Sequence, residues 1–124
     1  MQAKAPADEY ITRAAACAKH YIAYTDSRSG HDRSPSWIPY RHLLQYYAPA
    51  FEAAISAGVM TVMESYSEVD GVPMASNKAL LRTLLRDEEK FEGMMVTDWA
   101  EINNLKDFHH VASSTEADTT LYYR

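Results

Sequence analysis

Arg41–Tyr66, RHLLQYYAPAFEAAISAGVMTVMESY, decides the fold. Leu43, Leu44, Tyr47, Phe51, Ala54 and Ile55 fall on one stripe at helical spacing, which predicts a helix over Arg41–Ala57. Pro49 lies inside it, where it should remove a hydrogen bond and bend the axis. Gly58 stands where a left-handed C-terminal cap is wanted. Val59–Tyr66 follows directly and reads as a strand. Its nearly continuous apolar run is what a strand covered on both faces requires.

The same alternation extends in both directions. Upstream, Ala15–Ile22 (AACAKHYI) is compact and mostly apolar and reads as a buried strand, although its three alanines also favour helix. Pro6, followed by Asp8 and Glu9, predicts a short helix before it. Thr25–Pro39 is polar, with Gly30, Pro35 and Pro39, and reads as a long loop anchored by Trp37 and Ile38. Downstream, Ser67–Ser76 holds Asp70-Gly71 and Pro73 and reads as a turn-rich loop. Leu80, Leu81, Leu84 and Leu85 predict a second helix over Asn77–Lys90. Met94–Thr97 is a third short apolar run, and beyond Trp99 the pattern is mixed. Ser113 and Glu116 form a capping-box pattern for a last helix. Strands alternating with helices imply α/β architecture, with parallel strands and right-handed crossovers. About three such strands make either a minimal doubly wound domain or a slice of a larger barrel.

Composition narrows the function. The 124 residues carry a formal charge of −5, with 12 basic and 17 acidic side chains and no basic run, which argues against an electrostatic nucleic-acid binder. No apolar stretch approaches the roughly 20 residues that span a bilayer, so no membrane partner is expected. The opening MQAKAPADEY lacks the apolar core of a signal peptide. The single cysteine, Cys17, excludes an internal disulfide and a Cys-based zinc site, and it assigns no compartment. His109 and His110 are adjacent, so on a helix they face different ways and make a poor joint metal site. Met60, Met63, Met94 and Met95 read as core fillers. Neither metal nor cofactor is called for.

Polar residues recur at one topological position. Lys19 and His20 end the first strand, Ser65 and Tyr66 the second, Thr97 and Asp98 the third. In parallel α/β layouts these ends point the same way, and ligands bind there. Asp98 is the sharpest candidate, able to act as nucleophile, general base or metal ligand. Lys19 and His20 could donate hydrogen bonds to substrate hydroxyls, or His20 could be a satisfied core histidine. His31-Asp32 lies in the long loop, where it could close over a ligand, and His42 reads as a solvated helix residue. Glu64, near the end of a buried strand, must find a partner or face the helix layer.

Several motifs now stand in order: Lys19-His20; Pro49-Ala50-Phe51; Ala57-Gly58-Val59; Asp70-Gly71-Val72-Pro73; Leu85-Arg86; and Val96-Thr97-Asp98-Trp99. From about Ala14 to Ala117 the chain resembles the barrel domain of glycoside hydrolase family 3, the β-glucosidase and β-xylosidase family. The resemblance implies a (β/α)8 TIM barrel, usually followed by a smaller α/β sandwich domain; residues 1–124 are expected to be a middle-to-late part of the barrel, with no second domain present. It implies retaining hydrolysis of β-glycosidic bonds, with Asp98 as nucleophile. Lys19 and His20 match the pair holding sugar hydroxyls, and Tyr66 the aromatic residue beside the nucleophile. The implied partner is a carbohydrate, a β-glucoside or oligosaccharide. Family members are often secreted. The acid/base residue of most members lies in a later domain. Some members use a His-Asp pair in the loop after Lys-His, but the SGHDRSP context of His31-Asp32 departs from their motif.

A complete barrel of this kind takes about 250 residues. The first and third strands would therefore expose edges that invite self-association, and catalysis by the chain alone should be negligible. One alternative is a carbohydrate-binding remnant that holds a glycoside without cleaving it. Another is a Schiff-base lyase using Lys19 on a carbonyl.

Overall fold

The computed structural model describes residues 14–114. The helix expected near Pro6 lies outside them, as does most of the one expected after Ser113. The described elements are β1 (Cys17–Tyr21), α1 (Tyr40–Tyr46), α2 (Ala48–Ser56), β2 (Thr61–Glu64), β3 (Glu68–Val69) and β4 (Val72–Pro73). A 3₁₀ turn (Met74–Ser76), a π-helix (Ala79–Glu88), β5 (Met94–Val96) and α3 (Glu101–Asp107) follow.

The sheet order is β1-β2-β5, parallel throughout, so the three expected strands lie side by side. Its register sorts the side chains into rungs. Ala18, Val62 and Met95 align across the sheet and pack into the core. The flanking rungs, Cys17–Thr61–Met94 and Lys19–Met63–Val96, point the other way under the two-residue period of strands. That face is open: Met94 is 62% exposed. In a closed barrel it would look inward.

The helix layer covers the opposite face. Leu43, Leu80, Leu81, Leu84 and Leu85 are buried with Tyr21, Ile22 and Val62. Phe51 of α2 meets the Tyr21 ring edge-on, centroids 4.8 Å apart. Where a single bent helix was expected over Arg41–Ala57, the chain breaks into α1 and α2 at Tyr47. Pro49 is the cause, because it has no N–H to continue the first ladder and is well tolerated in the first turn of a new helix. Gly58 then closes α2 with φ +84°, as its position implied.

Two connections place the strand ends. Asp70 and Gly71, at φ +50° and +85°, form the two-residue turn of the β3–β4 hairpin, inside the stretch expected to be a loop. The long loop is pinned to that hairpin. Ser36 N–H donates to the Glu68 carbonyl at 3.0 Å, Asp70 N–H to the Ser36 carbonyl at 2.9 Å, and Ile38 N–H to the Asp70 carboxylate at 2.9 Å. Ile38 is its buried anchor, whereas Trp37 lies outside with the Arg28 guanidinium stacked on its ring. Ahead of β5, Arg86 donates to the carbonyls of Phe91 and Gly93 at 2.9 and 2.6 Å. A Cβ at Gly93 would sit 2.3 Å from the Met60 carbonyl oxygen, so only glycine lets the chain pass into β5 there. No described helix is long and apolar enough to cross a membrane.

Candidate active site

The C-terminal ends of the three strands carry the candidate residues. Lys19 and His20 lie in β1, Tyr66 stands two residues past β2, and Asp98 two residues past β5. His20 Nε2 is 3.4 Å from Asp98 Oδ2. The Trp99 N–H donates to the other carboxylate oxygen, Oδ1, at 2.7 Å. The Trp99 N–H and the neighbouring His20 ring thus flank the two oxygens of Asp98, with part of its side chain still open to solvent. Beside it, Tyr66 Oη donates to the Trp99 carbonyl at 2.8 Å and so ties the end of β2 to the end of β5. Burial and the Asp98 charge both push the Tyr66 phenol above its ordinary value, which keeps it a hydrogen-bond donor. The Trp99 indole is 84% exposed over this rim.

Lys19 shares the open rung with Met63 and Val96, and its side chain meets no partner among the described residues. His20 stacks at 5.0 Å on Tyr24, whose hydroxyl bonds Asp32 of the long loop. His31 is exposed, and only its main chain and not its ring is engaged in hydrogen bonding. His42 is exposed on α1, its ring against Tyr46 at 4.5 Å. Arg33 lays its guanidinium over the Tyr66 ring, 4.0 Å from the centroid.

A second group of polar side chains lies beneath the rim, where the sequence pattern past Trp99 was unreadable. Glu64 and Glu101 are fully buried. The His109 ring fits between Glu101, 3.5 Å from Nε2, and Glu68, 3.8 Å from Nδ1. Asn104 donates to the other Glu101 oxygen at 2.8 Å. Both Glu64 oxygens meet no hydrogen-bond partner, nor do the hydroxyls of Ser65 and Ser67. Burial, then the charges of Glu101 and Asp98, push the Glu64 carboxyl up to about 8. The available signal covered only part of this group: Glu101 and Leu105, four residues apart, share one face of α3. Among the described residues no group of three or more His, Cys, Asp or Glu side chains is arranged to hold a metal ion.

Comparison with known proteins identifies the family. Residues 2–121 match the model of the glycosyl hydrolase family 3 N-terminal domain. A lysosomal β-glucosidase of Dictyostelium discoideum is 49% identical over 100 residues, which are 80% of this chain and 12% of that protein. A β-xylosidase of Formosa agariphila is 39% identical over 104 residues, 82% of this chain and 14% of that one. A solved β-glucosidase of Listeria innocua superimposes with TM-score 0.88 at 34% identity, over 93% of this chain and 16% of its own. That enzyme has also been solved with glucose and, as a mutant, with laminaribiose. The chain thus spans 12–14% of these curated relatives' length. Its three parallel strands and their helices are part of the family's (β/α)8 barrel, and the chain belongs to glycosyl hydrolase family 3, within the N-terminal domain.

Proposed function

We propose that this chain supplies the nucleophile wall of a retaining β-glycosidase acting on a β-glucoside or oligosaccharide. Asp98 attacks the anomeric carbon, and the bond to the leaving-group oxygen breaks with its electron pair going to that oxygen. A general acid protonates the leaving oxygen. Water, giving up a proton to the same group, then releases the sugar from the glycosyl ester. Lys19 and His20 donate to hydroxyls of the reacting sugar, and Tyr66 borders it. The observation that carries the reading is the Asp98 carboxylate at the strand ends, held by His20 at 3.4 Å and by the Trp99 N–H at 2.7 Å. The sugar complexes of the Listeria enzyme support a carbohydrate ligand.

Retention needs a second carboxyl group about 5–5.5 Å from the first. Glu64 and Glu101 are sealed from solvent, so neither can meet a leaving group in the cleft. The described sheet has three strands where a closed barrel has eight. The described residues are accordingly read as part of a barrel domain in which neither Glu64 nor Glu101 serves as the acid/base group. Aryl β-glucoside hydrolysis by the isolated chain, followed by release of the phenol, should not rise above the uncatalysed rate. Robust turnover that disappears in Asp98→Ala would refute that incompleteness while upholding the role of Asp98.

The same open sheet bears on association. β1 and β5 are edges among the described residues, and the rungs between them are uncovered. Sedimentation equilibrium of the chain should therefore show concentration-dependent self-association. A monomer over the whole range would contradict it.

A further inference from the structure

Arg33 is the one cation of the long loop that reaches the rim of the site. Its guanidinium is stacked 4.0 Å from the Tyr66 ring centroid, and Tyr66 is itself fixed to the Trp99 carbonyl. The backbone at Arg33 is held at φ +65°, a region that residues with a Cβ enter at a cost. Around it Tyr24 bonds Asp32, and the Ser34 hydroxyl donates to the His31 carbonyl at 2.9 Å. The loop therefore presents this side chain in a set pose. A guanidinium lying flat on a ring still has its N–H groups in plane, pointing past the ring edge. Nε faces Asp32 at 4.0 Å, while the Nη groups meet no acceptor among the described residues, and the side chain is 39% exposed.

His20 and Asp98 sit at the sheet's own strand ends, so they contact the sugar whose anomeric carbon reacts. Arg33 reaches the same rim from the long loop, stacked on the Tyr66 ring. A sugar extending from that carbon toward the loop would meet the free edge of the guanidinium. Building on the glycosidase reading above, we infer that Arg33 is a specificity-determining residue that donates a paired hydrogen bond to vicinal hydroxyls of the leaving-group sugar. It would favour β-linked disaccharides over simple alkyl glycosides. The competing role is a structural one, in which the stack merely pins the loop.

Titrating the full chain with laminaribiose and with methyl β-glucoside, followed by the Trp indole NMR signals, separates the two. The wild type should bind laminaribiose about tenfold more tightly than the methyl glycoside. Arg33→Ala should erase that preference and leave methyl glucoside affinity unchanged. Arg33→Lys, which keeps the charge but not the planar fork, should retain only part of it. A preference that survives Arg33→Ala, or an equal loss for both sugars, overturns the inference. Absence of methyl glucoside binding to the wild type would overturn the glycosidase reading itself, and this inference with it.

Discussion

Raising the pH from 4.5 to 8 is expected to destabilise the chain, and Glu64→Gln is expected to abolish most of that loss. The Glu64 carboxyl is fully buried, without a hydrogen-bond partner, and raised to about 8 by burial and by the charges of Glu101 and Asp98. Its folded value exceeds the unfolded 4.5, so its contribution is fully present below pH 4.5. Above 4.5 the unfolded chain gives up this proton and the folded chain keeps it. Unfolding then gains about 1.4 kcal/mol per pH unit, until the folded carboxyl ionises near pH 8. Over the whole window the loss approaches roughly 4–5 kcal/mol, comparable to the total stability of a small domain. Glu89, raised to about 7 chiefly by burial, slopes the same way, and Glu64→Gln leaves it in place. Urea unfolding at several pH values measures the difference. Parallel pH profiles for wild type and Glu64→Gln would show that Glu64 is charged in the fold.

That buried carboxyl also bears on the chemistry. A neutral Glu64 adds no second negative charge beneath Asp98, the group that must attack as an anion. Glu101 is treated differently: His109 and Asn104 face its two oxygens. The floor of the rim therefore holds two buried carboxyls in different surroundings, Glu64 with neither oxygen hydrogen-bonded and Glu101 with one oxygen accepting from the Asn104 amide.

Much of the fold was legible in the sequence. Four leucines at 80, 81, 84 and 85 announced a helix, and three short apolar runs announced the strands. What escaped has a physical reason in each case. The spacing i, i+1, i+4, i+5 places leucines on one side of either an α- or a π-helix, so the winding of Ala79–Glu88 was not encoded in the pattern. Pro49 signalled a disturbance, but whether a helix bends or restarts depends on the layer it packs against. The β3–β4 hairpin was hidden because its strands are two residues long, too short for alternation to register. α3 was missed because its buried face combines Glu101 with Leu105, and a buried acid looks polar in any pattern.

The site divides in the same way. Lys19, His20, Tyr66 and Asp98 could be named in advance because they sit where strands of a parallel sheet end, and the structure brings His20, Tyr66 and Asp98 together. Lys19 shares their end of the sheet without touching them. Arg33 could not be named, since only the folded loop carries it back over Tyr66. Beneath the rim, the His109 ring brings Glu101 of α3 together with Glu68 of β3, a contact between distant segments that spacing along one chain does not express.

The second large effect concerns Asp98. An activated 2-fluoro-2-deoxy-β-glucoside with a dinitrophenolate leaving group needs no proton on departure, so the first step requires no general acid. The fluorine slows hydrolysis of the ester that forms, so a covalent product accumulates even where turnover is negligible. Asp98→Asn keeps the shape of the side chain and removes the nucleophile, and labelling should fall by several orders of magnitude. Peptide mass spectrometry of the wild-type chain after prolonged incubation is the most direct test. A single glycosyl ester on Asp98, absent from Asp98→Asn, is the predicted result; an unmodified chain, or a label on any other residue, would contradict the assignment of Asp98 as the nucleophile.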